Sequence, residues 1–126
     1  MTAKILLVDD DELNRFVGQE LLTSLGMQVS LAGSGAEALD KLKVCNFDLV
    51  FMDVSMPVMD GYETTRLIRR QTQLKKLPII ALTAHAFVNE YSTCLQAGMN
   101  DYLAKPFTLA ELEQIIYKWT KVACLT

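Results

Sequence analysis

Short, continuous hydrophobic runs alternate along the chain with longer segments in which hydrophobic residues recur every three or four positions. The continuous runs are typical of buried strands, one of them half-polar as suits a sheet edge, and occupy residues 4–8, 27–32 (the half-polar run), 47–52, 78–82 and 101–104. The segments with helical spacing cover residues 12–25, 34–44, 60–71, 84–97 and 108–122. The pattern therefore predicts a strand followed by a helix, five times over.

Residues at the segment boundaries support these helices. Asp11 is placed to cap the first helix, and Gly26 and Gly98 follow the first and fourth helices, where glycine commonly ends a helix. Three segments open with a capping-box pattern: Ser34 with Glu37, Asp60 with Glu63, and Thr108 with Glu111. The fourth helix has only a weak apolar stripe, so we expect it to be marginally packed and able to move.

A strand–helix repeat of this kind produces a parallel sheet with right-handed connections and helices on both faces. We therefore predict an α/β fold of the doubly wound type, with five parallel strands. For so small a domain the expected topology is the flavodoxin-like (βα)5 arrangement, with strand order 2-1-3-4-5. The 126 residues contain no repeat, low-complexity segment or linker, so we expect one domain without an attached output domain.

The composition narrows the range of functions. A formal charge of −3 and a pI near 5.1 argue against nucleic-acid binding, which requires a basic surface. No hydrophobic run approaches the roughly 20 residues of a membrane span, and the N-terminus lacks the layout of a signal peptide. The three widely spaced cysteines form no C-x-x-C pair and indicate free thiols in a reducing compartment. We therefore expect a cytoplasmic domain that contacts neither nucleic acid nor the membrane.

Polar side chains follow four of the predicted strands at their carboxyl ends: Asp9, Asp10, Asp53, Thr83 and Lys105. The carboxyl ends of parallel strands lie along one edge of the sheet, where open α/β folds bind ligands. Since the first and third strands are neighbours about 4.8 Å apart, their three acids should lie close together. Such carboxylates need a counter-charge, which Lys105 and a divalent cation that prefers oxygen ligands, such as Mg²⁺, would supply.

These groups are what the formation of an aspartyl phosphate requires. An ionised carboxylate is itself a nucleophile, a metal and a lysine offset the charge on the phosphoryl oxygens, and a hydroxyl adds a donor. A solitary aspartate after a strand is most often a solvated loop residue. The convergence of four other groups with Asp53 favours a phosphorylation site instead.

Four stretches that contain these residues resemble the motifs of the receiver domains of two-component response regulators. They are residues 5–11 (ILLVDDD), 52–61 (MDVSMPVMDG), 82–84 (LTA) and 101–107 (DYLAKPF). The resemblance extends over the whole chain and implies that residues 1–126 form one receiver domain. Such a domain accepts a phosphoryl group from a phosphohistidine with the help of Mg²⁺. It catalyses its own phosphorylation and dephosphorylation, and we expect no independent turnover of a small molecule.

The resemblance implies a role for each residue of the acidic site. Asp53 resembles the phospho-accepting aspartate, which is also a metal ligand. Asp10 is similar to the direct Mg²⁺ ligand, and Asp9 to the acid that binds the metal through water. The backbone carbonyl of Ser55 would supply another ligand.

The resemblance also implies a switch. Lys105 resembles the lysine that pairs with the phosphate, and its bond to Pro106 is expected to be cis. Thr83 is similar to the hydroxyl residue that moves to the phosphoryl group, and Tyr102 to the aromatic residue that turns inward when it does. The surface altered in this way would comprise the fourth helix, fifth strand and fifth helix. His85, two residues after Thr83, is expected near solvent at the start of the fourth helix, where it could tune the lifetime of the phosphoryl group.

Residues 82–86 and 94–106 resemble receivers attached to hybrid sensor histidine kinases more than those fused to DNA-binding domains. This implies a sensor histidine kinase, a histidine phosphotransfer domain, or both as partners, although a stand-alone regulator fits almost as well. The domain would then be cytoplasmic, or the cytoplasmic part of a membrane-bound kinase, and a monomer or weak dimer. The expected docking surface is the first helix, with Asn14, Arg15 and Gly18 as candidate contacts.

Three alternatives use the same fold differently. A Mg²⁺-dependent phosphatase or phosphotransferase with an aspartate nucleophile would carry a second acid two residues later, where this chain has Ser55. A flavodoxin-like protein that binds FMN would need a phosphate-binding loop after the first strand, where this chain has acids. A receiver-like protein that is never phosphorylated would not need the complete set of polar groups.

Overall fold

The structure, a computed structural model, describes residues 2–84 and 88–124. Its strands are β1 (Lys4–Val8), β2 (Gln28–Ala32), β3 (Leu49–Asp53), β4 (Ile79–Thr83) and β5 (Asp101–Ala104). Its helices are α1 (Glu12–Ser24), α2 (Gly35–Val44), α3 (Gly61–Arg69), α4 (Val88–Ala97) and α5 (Leu109–Thr120). A short 3-10 helix at Thr72–Leu74 follows α3. No helix within these described ranges is long and apolar enough to cross a membrane.

All five strands are parallel and lie in the order β2-β1-β3-β4-β5, which confirms the predicted doubly wound topology. Every residue of β3 and β4 is buried, as expected of strands covered on both faces. Two hydrophobic cores result. One packs α2, α3 and α4 against the sheet, and the other packs α1 and α5 against its opposite face. The half-polar strand β2 forms one edge, as its pattern indicates.

Several element boundaries differ from prediction by one or two residues, and the start of β3 differs for a local reason. Strand β3 begins at Leu49 rather than at residue 47 because Asp48 instead pairs with the start of β1. Its amide donates to the Lys4 carbonyl at 2.7 Å, and its carboxylate accepts from the Lys4 amide at 2.8 Å. The predicted helix 84–97 is observed as α4, and the expectation for His85 lies outside the described residues.

The predicted capping residues begin their helices, but the full capping box forms at only one of the three predicted positions among the described residues. The Asp11 carboxylate accepts from the amides of Leu13 and Asn14 at the start of α1. Gly26 and Gly98 have φ angles of 87° and 106°, which glycine adopts without strain. Among the three predicted capping boxes, the reciprocal pair of hydrogen bonds is recorded only at the start of α5. In α2 the acid that should complete the box accepts instead from the amide of Gly33.

Arg69, at the end of α3, ties together the loops at the amino ends of β4 and β5. Its guanidinium donates to the carbonyls of Gly98 and Leu74 at 2.8 and 2.7 Å, and to the Asn100 side-chain oxygen at 2.8 Å. The Asn100 oxygen also accepts from the Ile79 amide at 2.8 Å. All three acceptors are neutral, and burial lowers the pKa of the Arg69 guanidinium from its ordinary value. The planar fork of arginine suits this arrangement, which a lysine could not reproduce.

We expect Arg69→Lys to lower the free energy of unfolding by about 2 kcal/mol, because a single ammonium would leave partly buried carbonyls without donors. Urea denaturation monitored by circular dichroism would measure the loss. Arg66→Lys is the matched control, since Arg66 lies exposed on the same helix and should be neutral. Equal stability of the two variants would contradict a tethering role for Arg69.

Candidate functional site

Three carboxylates meet at the carboxyl edge of the sheet. Strands β1 and β3 pair with Val8 opposite Met52, which brings Asp9 beside Asp53. Carboxylate oxygens of Asp9, Asp10 and Asp53 all lie within 4.8 Å of one another. Asp9 and Asp53 are almost fully buried, at 2% and 4% exposure, whereas Asp10 is exposed. The acidic pocket therefore has two buried carboxylates at its base and one carboxylate in contact with solvent.

Lys105 places a cation in this pocket. It follows β5, and its amide donates to the carbonyl of Thr83 at 2.8 Å, which fixes its backbone beside β4. Its ammonium nitrogen lies 3.0 Å from an oxygen of Asp9 and 3.3 Å from an oxygen of Asp53. The peptide bond to Pro106 is cis. Lys105 thus bridges the two buried acids from the opposite half of the sheet.

Burial and the neighbouring charges both shift the pKa values of Asp53 and Lys105. Burial, together with the charge of Asp9, raises the pKa of Asp53 to about 6, although the Ser55 amide and Lys105 partly offset the rise. Burial alone would lower the pKa of Lys105, but its hydrogen bonds and charge interactions with Asp9 and Asp53 raise it overall. The ammonium of Lys105 therefore stays charged near neutral pH. Ionisation of Asp53, in contrast, lowers the stability of the folded state.

We expect Asp53→Asn to raise the free energy of unfolding by about 1–3 kcal/mol above roughly pH 6 in the presence of EDTA. Because folding raises the pKa of Asp53, the native state binds a proton that the unfolded state has released between about pH 4 and 6. Wild-type stability therefore falls as the pH rises through this window, and the asparagine variant avoids the loss. Urea denaturation at several pH values measures the difference.

The gain should vanish below about pH 4, where the carboxyl is protonated in both states. Asp40→Asn is the control, because the Asp40 side chain is 77% exposed and should show no such dependence. An asparagine variant at position 53 that is no more stable than wild type at neutral pH would contradict the account.

The donor chemistry of the pocket fits a hard divalent cation. Three carboxylates face one ammonium, so the cluster keeps an excess of negative charge when all the acids are ionised. Carboxylate oxygens are the preferred ligands of Mg²⁺, and no thiol or imidazole belongs to the cluster within the described residues. Asp9, Asp10 and Asp53 are thus the side chains that could hold the ion.

The structure also shows a hydroxyl network beside the pocket that the sequence did not suggest. Thr83 ends β4, and its hydroxyl donates to a carboxylate oxygen of Glu90 on α4 at 3.1 Å. The Tyr62 hydroxyl donates to the same oxygen at 2.6 Å. On the neighbouring strand, the half-buried ring of Tyr102 lies 5.2 Å, centroid to centroid, from the ring of Tyr91 on α4. Thr83 and Tyr102 therefore both contact α4.

The outer surface of α1 corrects one expectation. Gly18, a candidate docking residue, is buried, and an added Cβ would meet a side-chain carbon of Leu7 at 2.5 Å. Arg15 is half-buried and donates to the Asp9 carbonyl at 2.7 Å, whereas Asn14 is exposed as predicted. The residues that the prediction missed are hydrophobic. Their exposures are 67% for Leu13, 58% for Phe16 and 47% for Val17.

Two of these side chains line a groove of about 300 Å³ next to the acidic pocket. Leu13, Asn14 and Val17 line it from α1, and Asp9, Lys105 and the two residues that follow Lys105 lie across from them. The mouth of the pocket is therefore bordered by hydrophobic surface. The helical spacing of hydrophobic residues in α1 was the available signal, but it did not reveal which of them point outward.

A doubly wound sheet with an acidic pocket at the carboxyl ends of its strands places the chain in the class of flavodoxin-like domains that bind ligands at this edge. The family model of the response regulator receiver domain matches residues 5–117. The chain belongs to this family, which confirms the predicted resemblance. Domains of the family accept a phosphoryl group from a histidine kinase or a phosphotransfer protein, and the predicted function is confirmed at that level.

Relatives of the chain include receivers within hybrid kinases. The sensor histidine kinase GacS of Pseudomonas protegens is 44% identical over 123 residues. This alignment covers 95% of the chain but only 13% of GacS, so the chain spans about an eighth of the length of that relative.

Two solved structures are also similar. The crystal structure of the receiver domain of sensor histidine kinase PA1611 from Pseudomonas aeruginosa has a magnesium ion coordinated in its active-site cleft. It is 45% identical, with a TM-score of 0.88, and the match covers 97% of this chain and all of that one. The receiver domain of Ssk1 from Saccharomyces cerevisiae, solved with the histidine phosphotransfer protein Ypd1, is 29% identical. Its TM-score is 0.88, with 95% of this chain and 90% of that chain covered.

Proposed function

We propose that residues 1–126 form a receiver domain in which Asp53 is the phospho-acceptor and Asp9, Asp10, Asp53 and the Ser55 carbonyl hold Mg²⁺. The observation that carries the proposal is the convergence of a buried carboxylate, two further acids and an ammonium at one edge of the sheet. The magnesium ion in the related PA1611 receiver supports the choice of metal. The set of groups matches the charge distribution of an aspartyl-phosphate site.

The chemistry follows from the positions of these groups. A carboxylate oxygen of Asp53 attacks the phosphorus of a phosphohistidine, a new O–P bond forms, and the P–N bond breaks. The electron pair of that bond remains on the imidazole, which takes up a proton from solvent. Lys105 offsets negative charge on the phosphoryl oxygens as they approach. Bound Mg²⁺ would neutralise further charge on the same oxygens.

The buried position of Asp53 suits this role. Its Oδ1 accepts from the amide of Ser55 at 3.1 Å and lies 3.3 Å from the Lys105 ammonium, so the carboxylate is held in one orientation. With a pKa near 6, the group is mostly ionised at neutral pH and can act as a nucleophile without a separate base.

Phosphorylation would change the conformation of the surface formed by α4, β5 and α5. In our proposal the hydroxyl of Thr83 turns toward the phosphoryl group and the ring of Tyr102 moves inward behind it. Both side chains contact α4 in the structure, so a change at Thr83 can reach this face directly.

The proposed partner is a phosphohistidine-bearing protein, either a sensor histidine kinase or a histidine phosphotransfer domain. The outward side chains of Leu13 and Val17 line the groove beside the pocket, and Phe16 lies exposed on the same face of the helix by its spacing; we call these three residues the α1 patch. A helical partner could cover this patch while presenting its histidine to Asp53. The complex of Ssk1 with Ypd1 supports a partner of this kind.

The three free cysteines agree with a reducing, cytoplasmic setting for the domain. We also propose that the domain is a monomer or a weak dimer.

We expect Phe16→Ala to slow phosphoryl transfer from a phosphorylated histidine phosphotransfer domain about tenfold or more, because it removes an exposed aromatic anchor. Phosphorylation by acetyl phosphate should be unchanged, since a small donor does not use the α1 patch. Val44→Ala is the control, as Val44 is an 81% exposed hydrophobic residue at the end of α2. Equal loss with both donors would show that the substitution damages the pocket rather than docking.

Intact-mass spectrometry after incubation with acetyl phosphate and Mg²⁺ tests the proposed function itself. Addition of one phosphoryl group supports it, and an unchanged mass contradicts it. Omission of Mg²⁺ should prevent the addition.

A further inference from the structure

Glu90, in the first turn of α4, holds two hydroxyl groups with one carboxylate oxygen. Oε1 accepts from Tyr62 on α3 at 2.6 Å and from Thr83 on β4 at 3.1 Å. The single side chain therefore joins α3, the carboxyl end of β4 and α4.

Tyr62 fixes the position of this carboxylate. Burial and the hydrogen bond to Glu90 raise the pKa of Tyr62, so its hydroxyl stays protonated and donates. One turn along α4 from Glu90, Cys94 is fully buried in the hydrophobic core that also packs the ring of Tyr62. Glu90 is thus anchored on the α3 side, while its bond to Thr83 is the longer of the two.

We propose that Glu90 is a positioning residue that retains the Thr83 hydroxyl on the α4 side of the pocket until a phosphoryl group competes for it. This inference rests on the proposed function, in which Thr83 turns toward the phosphoryl group. A hydroxyl that donates to Glu90 must give up that bond to donate to a phosphoryl oxygen. Glu90 therefore sets part of the free-energy difference between the resting and phosphorylated conformations.

Release of Thr83 would also remove a hydrogen bond between the first turn of α4 and the carboxyl end of β4. The bond between Glu90 and Tyr62 would remain and keep Glu90 on α3. Phosphorylation would therefore change the contact of α4 with β4 while leaving its contact with α3. The sequence predicted a marginally packed fourth helix, and the Glu90 link supplies a defined contact that phosphorylation can break.

The test is a binding measurement with beryllofluoride and Mg²⁺, which together imitate the phosphoryl group. Glu90→Gln replaces a charged acceptor by a weaker neutral one of the same size, so Thr83 is released more easily. We expect the affinity for beryllofluoride to rise about fivefold, measured by titration calorimetry at fixed Mg²⁺. Glu20→Gln, an exposed position on α1, is the matched control and should bind like wild type.

A double-mutant comparison separates positioning from a general effect on α4. In the Thr83→Val background no hydroxyl remains for Glu90 to retain, so Glu90→Gln should no longer change the affinity. An increase that persists in this background, or wild-type affinity in the single variant, overturns the inference while leaving the proposed function standing. A wild-type chain that does not bind beryllofluoride with Mg²⁺ overturns the proposed function, and the inference falls with it.

Discussion

Replacement of Asp53 by asparagine will abolish phosphorylation of the chain by acetyl phosphate and Mg²⁺. The amide has almost the same size as the carboxylate and can still accept the hydrogen bond from the Ser55 amide. It lacks the negative charge that makes the oxygen nucleophilic, so the O–P bond cannot form at a useful rate. Intact-mass spectrometry should show one added phosphoryl group on the wild-type chain and none on the variant.

Asp40→Asn controls for the loss of one carboxylate, because Asp40 lies exposed on α2, and this variant should be phosphorylated like wild type. Folding of the asparagine variant at position 53 can be checked by circular dichroism, where higher rather than lower stability is expected in EDTA. If that folded variant still gained a phosphoryl group, the acceptor would be another residue, and peptide mapping would locate it.

Much of the fold could be predicted because the central strands β3 and β4 are buried on both faces. A continuous hydrophobic run such as that of β3 indicates a strand covered on both faces, and the acid at its end marks the edge of the sheet. Asp53 and Thr83 belong to the strands rather than following them. The parallel hydrogen-bond ladder continues past both residues, with the Val54 amide donating to Leu82 and the Lys105 amide to Thr83. The predicted site residues converge for this reason.

The remaining features depend on how helices pack, which a one-dimensional pattern does not contain. The hydrophobic positions of α1 form a stripe wider than the part that meets the sheet, so Leu13 and Phe16 point outward and Leu22 inward. Gly18 lies inside because only a residue without a side chain fits against Leu7. Glu90 acquires its role only when α3 and α4 come together, and nothing in its local sequence distinguishes it from a solvated acid.

Replacement of Lys105 by methionine will slow phosphorylation by acetyl phosphate at least about 100-fold and, in the same protein, tighten Mg²⁺ binding several-fold. Methionine keeps most of the length and the apolar stem of lysine but removes the charge. Without the ammonium at 3.0 and 3.3 Å, Asp9 and Asp53 present a more negative pocket to the metal. The phosphoryl oxygens, in contrast, lose the cation that would face them during transfer.

The opposite signs of the two effects make the Lys105 experiment decisive, because a variant that merely distorts the pocket would weaken both Mg²⁺ binding and phosphorylation. Calorimetric titration gives the metal affinity, and the time course of intact mass gives the rate. Lys118→Met is the matched control, since Lys118 pairs with Asp101 at 3.1 Å with its side chain 61% exposed. If Lys105→Met instead bound the metal more weakly and was phosphorylated more slowly, the role of Lys105 would be to position the acids. It would then not compete with the metal for the acids or neutralise charge on the phosphoryl oxygens.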